Sequence, residues 1–118
     1  MRAKDAVGRY GEDVAVARLV EAGWAVLDRN WRCRDGELDI VALDGGELVA
    51  VEVKTRRSQR FGPPALAVTP AKLARLRRLT AAWLAAHDVH PASVRVDVVA
   101  VVLPPRGAAQ VEHLMGVE

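Results

Sequence analysis

Asp39, Glu52 and Lys54 are the residues of this chain whose types and spacing could do chemistry. In "ELVAVEVKT" (47 to 55) successive strand side chains point to opposite faces, so Val49, Val51 and Val53 share one face and Ala50, Glu52 and Lys54 the other. In "ELDIVAL" (37 to 43) the same alternation groups Glu37, Asp39 and Val41, opposite Leu38, Ile40 and Ala42. Asp44-Gly45-Gly46 between the two stretches suits a tight hairpin turn, because glycine accepts the positive φ that such turns need. Pairing about Asp44 and Glu47 then sets Asp39 across from Glu52 and Lys54. The valines are expected to enter the core, and the other face gathers two carboxylates and one ammonium. The plain alternative is a cross-strand salt bridge, worth about 0.2–1 kcal/mol. Against it, two carboxylates brought together without a cation repel each other.

The elements that must position these groups follow from periodicity. Ala6, Tyr10, Val14 and Ala17, widened by Val16, Leu19 and Val20, predict a helix over 5–22 that buries that stripe and stops at Gly23. A first strand is expected in "WAVLDRNWRC" (24 to 33), followed by the hairpin. "RRSQRFGPP" (56 to 64) reads as a basic loop ending in helix breakers. Thr69-Pro70 is a helix start, with threonine as cap and proline where its missing N–H costs nothing. This second helix should run to about His87, bury Leu73, Leu76, Leu79, Thr80, Trp83 and Leu84, and present Arg75 and Arg78 outward. "SVRVDVVAVVL" (93 to 103) is a fourth strand, and "AQVEHLM" (109 to 115) a short edge strand. The order predicts an α/β fold with a mixed sheet of four to five strands and helices on its faces.

With 118 residues, 51% of them apolar, the chain fits a single domain over 1–118. Its longest apolar runs, 81–86 and 98–103, are far short of the roughly 20 residues that span a bilayer. The N-terminus lacks the apolar segment of a secretory signal, so no membrane partner and a cytoplasmic location are expected. The lone Cys33 excludes an internal disulfide and is expected to be a partly buried small side chain. His87, His90 and His113 fit no metal pattern and are expected at the surface or in loops. Trp24, Trp31 and Trp83 are expected in the core. The net charge is only +2, but Arg29 to Arg78 holds eleven Lys/Arg against six Asp/Glu, a local excess suited to a polyanion.

Asp39 followed by Glu52-Val53-Lys54 resembles the D…(D/E)-x-K signature of the restriction-endonuclease-like nucleases, a superfamily whose core is described by the same order of elements. Glu12, in "GRYGED", resembles the extra acidic residue that resolvase-like members contribute from their first helix. Over about Gly8 to Leu103 the chain also resembles the YraN-type family of small bacterial proteins. The matching stretches are "GRYGED", Asn30 and Arg32, "GELDIVA", "VEVKTR", "FGPP" with Val68 and Lys72, and "RVDVV". Val51 and Val96 stand where that family often has phenylalanine, and Cys33 is atypical of it.

These resemblances imply a restriction-endonuclease-like core, α-β-β-β-α-β-β, and a Mg²⁺-dependent hydrolysis of DNA phosphodiester bonds, with Mn²⁺ as a substitute metal. Asp39, Glu52 and the backbone carbonyl of Val53 would be metal ligands, and Glu12 would complete the metal's surroundings. Lys54 would orient water or neutralise the phosphate. Glu37 and Asp97 are supporting candidates; Asp97 would either pair with an arginine or stand behind the site. Arg56, Arg57, Arg60, Lys72, Arg75 and Arg78 would contact phosphates. Neither a base-reading helix nor a row of exposed aromatics is present, so structure-specific cleavage of branched or single-stranded DNA, in repair or recombination, is expected over sequence readout. A homodimer would suit junction DNA. The competing reading is a nucleic-acid-binding module with the same fold and no catalysis, and a third is a purely structural Glu52–Lys54 pair.

Overall fold

The computed structural model describes residues 5–57 and 68–118; Arg60 and the Phe61 to Pro64 stretch lie outside the described residues. The elements are α1 (Ala6–Glu21), β1 (Ala25–Cys33), β2 (Gly36–Asp44), β3 (Glu47–Arg56), α2 (Pro70–Ala86), β4 (Ser93–Val102) and β5 (Gln110–Leu114). They form one five-stranded mixed sheet in the order β1-β2-β3-β4-β5, with two helices. This is the expected order, with Arg56 as the last residue of β3 and not the first of the loop. Among the described residues no helix is long and apolar enough to cross a membrane.

Asp44 pairs with Glu47, and Gly45 between them has φ +62°, a conformation that a side chain would strain. β3 and β4 run parallel from Glu47↔Ser93 to Arg56↔Val102. Parallel neighbours need a long crossover, and α2 lies in it. The helix starts where the sequence indicates: Thr69 Oγ1 accepts the Lys72 N–H at 3.1 Å, and Pro70 opens the first turn. Leu73, Leu76, Leu79, Thr80 and Trp83 are buried at helical spacing, Leu84 only partly.

β3 is covered on both faces, which differs from the one-sided packing expected of it. Val49 and Val51 join Ile40, Ala42, Val99 and Val101 under α1. Leu48 and Ala50, on the face of Glu52 and Lys54, pack with Leu73, Leu76 and Trp83 of α2. That face is therefore apolar at the start of the strand and polar at its end, and a central strand buried on both sides reads as an unbroken apolar run.

α1 turns inward only part of the stripe its apolar residues suggested: Leu19 is buried and Val14 and Val16 pack against the core. Gly11, Glu12, Ala15 and Leu19 are buried, whereas Tyr10 is 53% and Val20 57% exposed, and Ala17 is also exposed. Apolar and charged residues (Arg9, Glu12, Asp13, Arg18, Glu21) are both spread around the helix, so the hydrophobic pattern does not select a face. Close approach does: a Cβ on Gly11 would stand 1.9 Å from Thr55 Oγ1 and 2.7 Å from Thr55 Cβ. Gly11→Ala is expected to push α1 off β3 and cost about 1–3 kcal/mol, an overpacking penalty. Urea unfolding measures it, and an unchanged midpoint would contradict the close contact.

Candidate active site

Alternation along β1 and β2 breaks at a register shift between Val26 and Asp28 and again around Asn30 and Asp39. Ile40 and Ala42 pack under α1 as expected, but Leu38 packs with Val41 in the α2 cluster, together with its cross-strand partner Trp31. Between these pairs lie Asn30 and Asp39. Asn30 has φ 54°, a left-handed conformation that asparagine tolerates better than most residues. The β2–β3 pairing ends at Ile40↔Val51. Just beyond it the Val53 N–H donates to Asp39 Oδ2 at 2.9 Å, so a side chain takes a strand N–H where the register with β2 has ended.

The break opens a cleft of about 710 Å³ whose lining includes Asp39, Glu52, Val53, Lys54 and Lys72. Asp39 and Glu52 are both buried. Lys54 Nζ lies 3.4 Å and Lys72 Nζ 2.5 Å from Glu52 Oε2. Burial alone would raise the Glu52 carboxyl. The hydrogen bond and charge of Lys72, the charge of Lys54 and a hydrogen bond with Asp39 outweigh it and hold Glu52 below the ordinary glutamate value. Burial and the neighbouring Lys72 push Lys54 below the ordinary lysine value despite Glu52. Burial opposes the charge on Lys72, but its bond to Glu52 prevails and holds Lys72 above that value. Two carboxylates lining one cleft repel each other, and Lys54 and Lys72 are the cations that offset them.

Of the sequence candidates, Asp39, Glu52, Val53, Lys54, Glu37, Lys72 and Arg75 line this cleft. The Val53 group engaged there is its N–H. Glu37 accepts from Arg32 Nε at 2.8 Å. Arg32 and Arg34, at the β1–β2 turn, also line the cleft and were not among the candidates; the turn residues Asp35-Gly36 between two paired strands were the signal that could have placed them. Arg56, Arg57 and Arg78 are not in the lining, and Arg60 lies outside the described residues.

Glu12 does not join this lining. It is 1% exposed, and its Oε1 accepts from Arg29 Nε at 3.0 Å and Asn30 Nδ2 at 2.9 Å. It therefore braces the left-handed Asn30 from α1. Asp97 resolves to arginine pairing: fully buried beside Val51, it accepts from Arg95 Nε at 2.8 Å and the Gly116 N–H at 2.9 Å, and lies 2.7 Å from His113 Nε2. Of the histidines, His87 and His90 lie past the end of α2 as expected, and His113, within β5, does not. His113 is on β5 against Asp97 and Trp24, and His87 caps α2 and stacks on Trp83 at 4.0 Å; only His90 is well exposed. Trp24 and Trp83 are buried, and Trp31 and Cys33 partly so.

Among the described residues no group of three or more His, Cys, Asp or Glu side chains is placed to hold a metal. Asp39 and Glu52 as a pair fit a cation that takes few protein ligands. Mg²⁺ is of that kind, bound through one or two carboxylates plus waters and phosphate oxygens.

Fold and cleft together define a small mixed α/β protein with a carboxylate–lysine site where its two central strands part. Residues 11–101 match the model of the Uncharacterised protein family UPF0102, and the chain belongs to that family. It is 67% identical over 118 residues to a UPF0102 protein of Kineococcus radiotolerans, covering 99% of this chain and 97% of that one. It is 64% identical over 117 residues to a UPF0102 protein of Beutenbergia cavernae, covering 99% of each. With a UPF0102 protein of Streptomyces griseus the identity is 57% over 118 residues, again 99% of each.

Burial opposes the Asp97 charge, but His113, Arg95 and the Gly116 N–H hold its carboxyl below the ordinary value. A depressed carboxyl adds stability that is complete above the unfolded value of about 3.9 and is lost as pH falls through the folded one. Asp97→Asn is expected to cost about 3 kcal/mol at pH 7, since it leaves a buried pair broken. It should also flatten the fall in stability between pH 5 and pH 2. Denaturant melts across that range measure both effects, and a variant as stable as wild type would contradict the assignment.

Proposed function

We propose that the protein is a Mg²⁺-dependent nuclease of the restriction-endonuclease-like superfamily that hydrolyses DNA phosphodiester bonds in the cytoplasm. The observation that carries this reading is the cleft that the buried Asp39 and Glu52 line together with Lys54 and Lys72. Asp39 is positioned by the Val53 N–H, and Glu52 by the strand next to it. The two would hold Mg²⁺ through their carboxylate oxygens. When bound, Mg²⁺ supplies charge that polarises the phosphoryl group and makes a water more acidic.

The chain's own residues do the rest. Lys54, fixed by β3 within reach of Glu52, is set to neutralise the negative charge that builds on the phosphate or to orient the attacking water. Arg32, Arg34 and Arg75 line the same cleft and would position the phosphodiester backbone. Such contacts read phosphate geometry and carry no base code, which supports selection by DNA structure, with branched and single-stranded forms as the substrates to test.

Incubation of linear, single-stranded, flapped and four-way DNA with Mg²⁺ or Mn²⁺ is expected to give cleavage of at least one form. Asp39→Asn and Glu52→Gln should each lower it by about 10²-fold or more with the fold intact by circular dichroism. Lack of cleavage, with binding that survives chelation and both carboxylate changes, would replace this reading with a non-catalytic DNA-binding module. Arg32→Ala with Arg34→Ala should weaken binding on all DNA forms and reduce the slope of log K against log salt by about 1–2. An unchanged slope would remove these arginines from the interface.

A further inference from the structure

Lys72, expected above as a phosphate contact, is also ion-paired with Glu52. Two ammonium groups share Glu52 Oε2, and the nearer belongs to the helix, not to the strand. Asp39 and Glu52 against Lys54 and Lys72 make a cluster of two formal negative and two formal positive charges. Such a set is balanced without a metal. A dication added to it brings excess positive charge into a partly buried cleft, and at Glu52 Oε2 it meets an ammonium already at 2.5 Å. One oxygen cannot serve both at those distances without strong repulsion between the cations.

The lysines differ in their freedom to yield. Lys54 is rooted two residues from Glu52 on the same face of β3, so its stem begins beside the carboxylate. Lys72 reaches over from the first turn of α2, and its four-carbon stem can swing without moving the backbone. Both side chains are partly exposed, 23% for Lys72 and 28% for Lys54, so anchorage and not exposure distinguishes them. Arg75 lies three residues further along the helix, on a neighbouring position of the same face, and lines the same cleft. A lysine that leaves Glu52 has this cationic wall of the cleft as its destination.

We propose that Lys72 is the resident counter-ion of Glu52, which a divalent metal displaces on binding, and that the released ammonium then serves as a phosphate contact beside Arg75. This rests on the metal-dependent reading above and deepens it. Metal and Lys72 compete for one carboxylate oxygen, so the metal-free protein keeps its site neutral and ordered. Metal entry then releases a positive charge for the substrate.

Mn²⁺ titration of the whole protein without DNA, followed by electron paramagnetic resonance, tests the competition. Lys72→Gln is expected to bind Mn²⁺ about tenfold more tightly than wild type, a change of about 1.4 kcal/mol. Lys72→Arg, which keeps a cation at the position, should stay close to wild type, and Glu52→Gln should lose the binding. If wild type binds Mn²⁺ through Glu52 but Lys72→Gln binds no more tightly while folded, the counter-ion role is overturned and the nuclease reading stands. If wild type, Lys72→Gln and Lys72→Arg all take up no Mn²⁺ at millimolar concentration, the metal-dependent reading itself fails, and the counter-ion role with it. For the second step, oligonucleotide binding in Ca²⁺ should show a salt slope smaller by about one in Lys72→Gln than in wild type. An equal slope would overturn the phosphate contact.

Discussion

The hydrogen bond from the Val53 N–H to Asp39 Oδ2 holds together the part of the structure on which everything else depends. It lies just past Ile40↔Val51, where the register of β2 with β3 ends. A strand N–H left without a partner in a mostly buried setting is costly, and the Asp39 carboxylate meets that need. The same bond fixes the carboxylate beside Glu52. On the far side of β2, the left-handed Asn30 lies where β1 and β2 change faces, and Glu12 reaches from α1 to bond it. The residue resembling a metal ligand on the first helix thus holds the side chains of Asn30 and Arg29 at this break. Gly11, next to Glu12, lets α1 come close enough to β3 for this reach.

The molecule buries carboxylates in two contrasting ways. Asp97 is surrounded by fixed donors: the Arg95 guanidinium, His113 and the Gly116 N–H, with Arg95 itself braced by Asp44, Glu47 and the Trp24 ring. These groups come from β4, β5 and the chain that follows, and they stitch the edge of the sheet together. Glu52 is held by two lysines on flexible stems at the wall of an open cleft. Rigid, saturated pairing suits structure, whereas replaceable pairing in a cleft suits chemistry. The contrast gives a physical reason to place the activity at one buried acid and not the other.

Much of the architecture was legible in the residue pattern. Asp44-Gly45-Gly46 has one cheap conformation, Thr69-Pro70 marks a helix start, and the valine-rich 93–103 stretch reads as a buried strand. Asp39 and Glu52 were also legible as neighbours, because two strands joined by so short a turn have only one register that keeps both faces buried. The inward face of α1 was legible only in part, since apolar and charged residues are both spread around that helix and the choice falls to Gly11 and Thr55. Strict alternation failed at Leu38, because a left-handed residue in the neighbouring strand is invisible to periodicity. Arg32 and Arg34 were missed because a turn sequence says where a chain reverses and not what it faces. Lys72 could be read as a cation near phosphate, but its ion pair with Glu52 depends on how α2 lies across the sheet, which no local pattern encodes.

The central claim is that Asp39 and Glu52 form one divalent-metal site at the parting of the two central strands. Anomalous diffraction from crystals soaked in Mn²⁺ tests it directly. An anomalous peak is expected within coordination distance of oxygens from both carboxylates, with the Lys72 ammonium moved off Glu52. Full Mn²⁺ exposure with no peak there, or a peak bound by only one of the two while Lys72 stays in place, would contradict it.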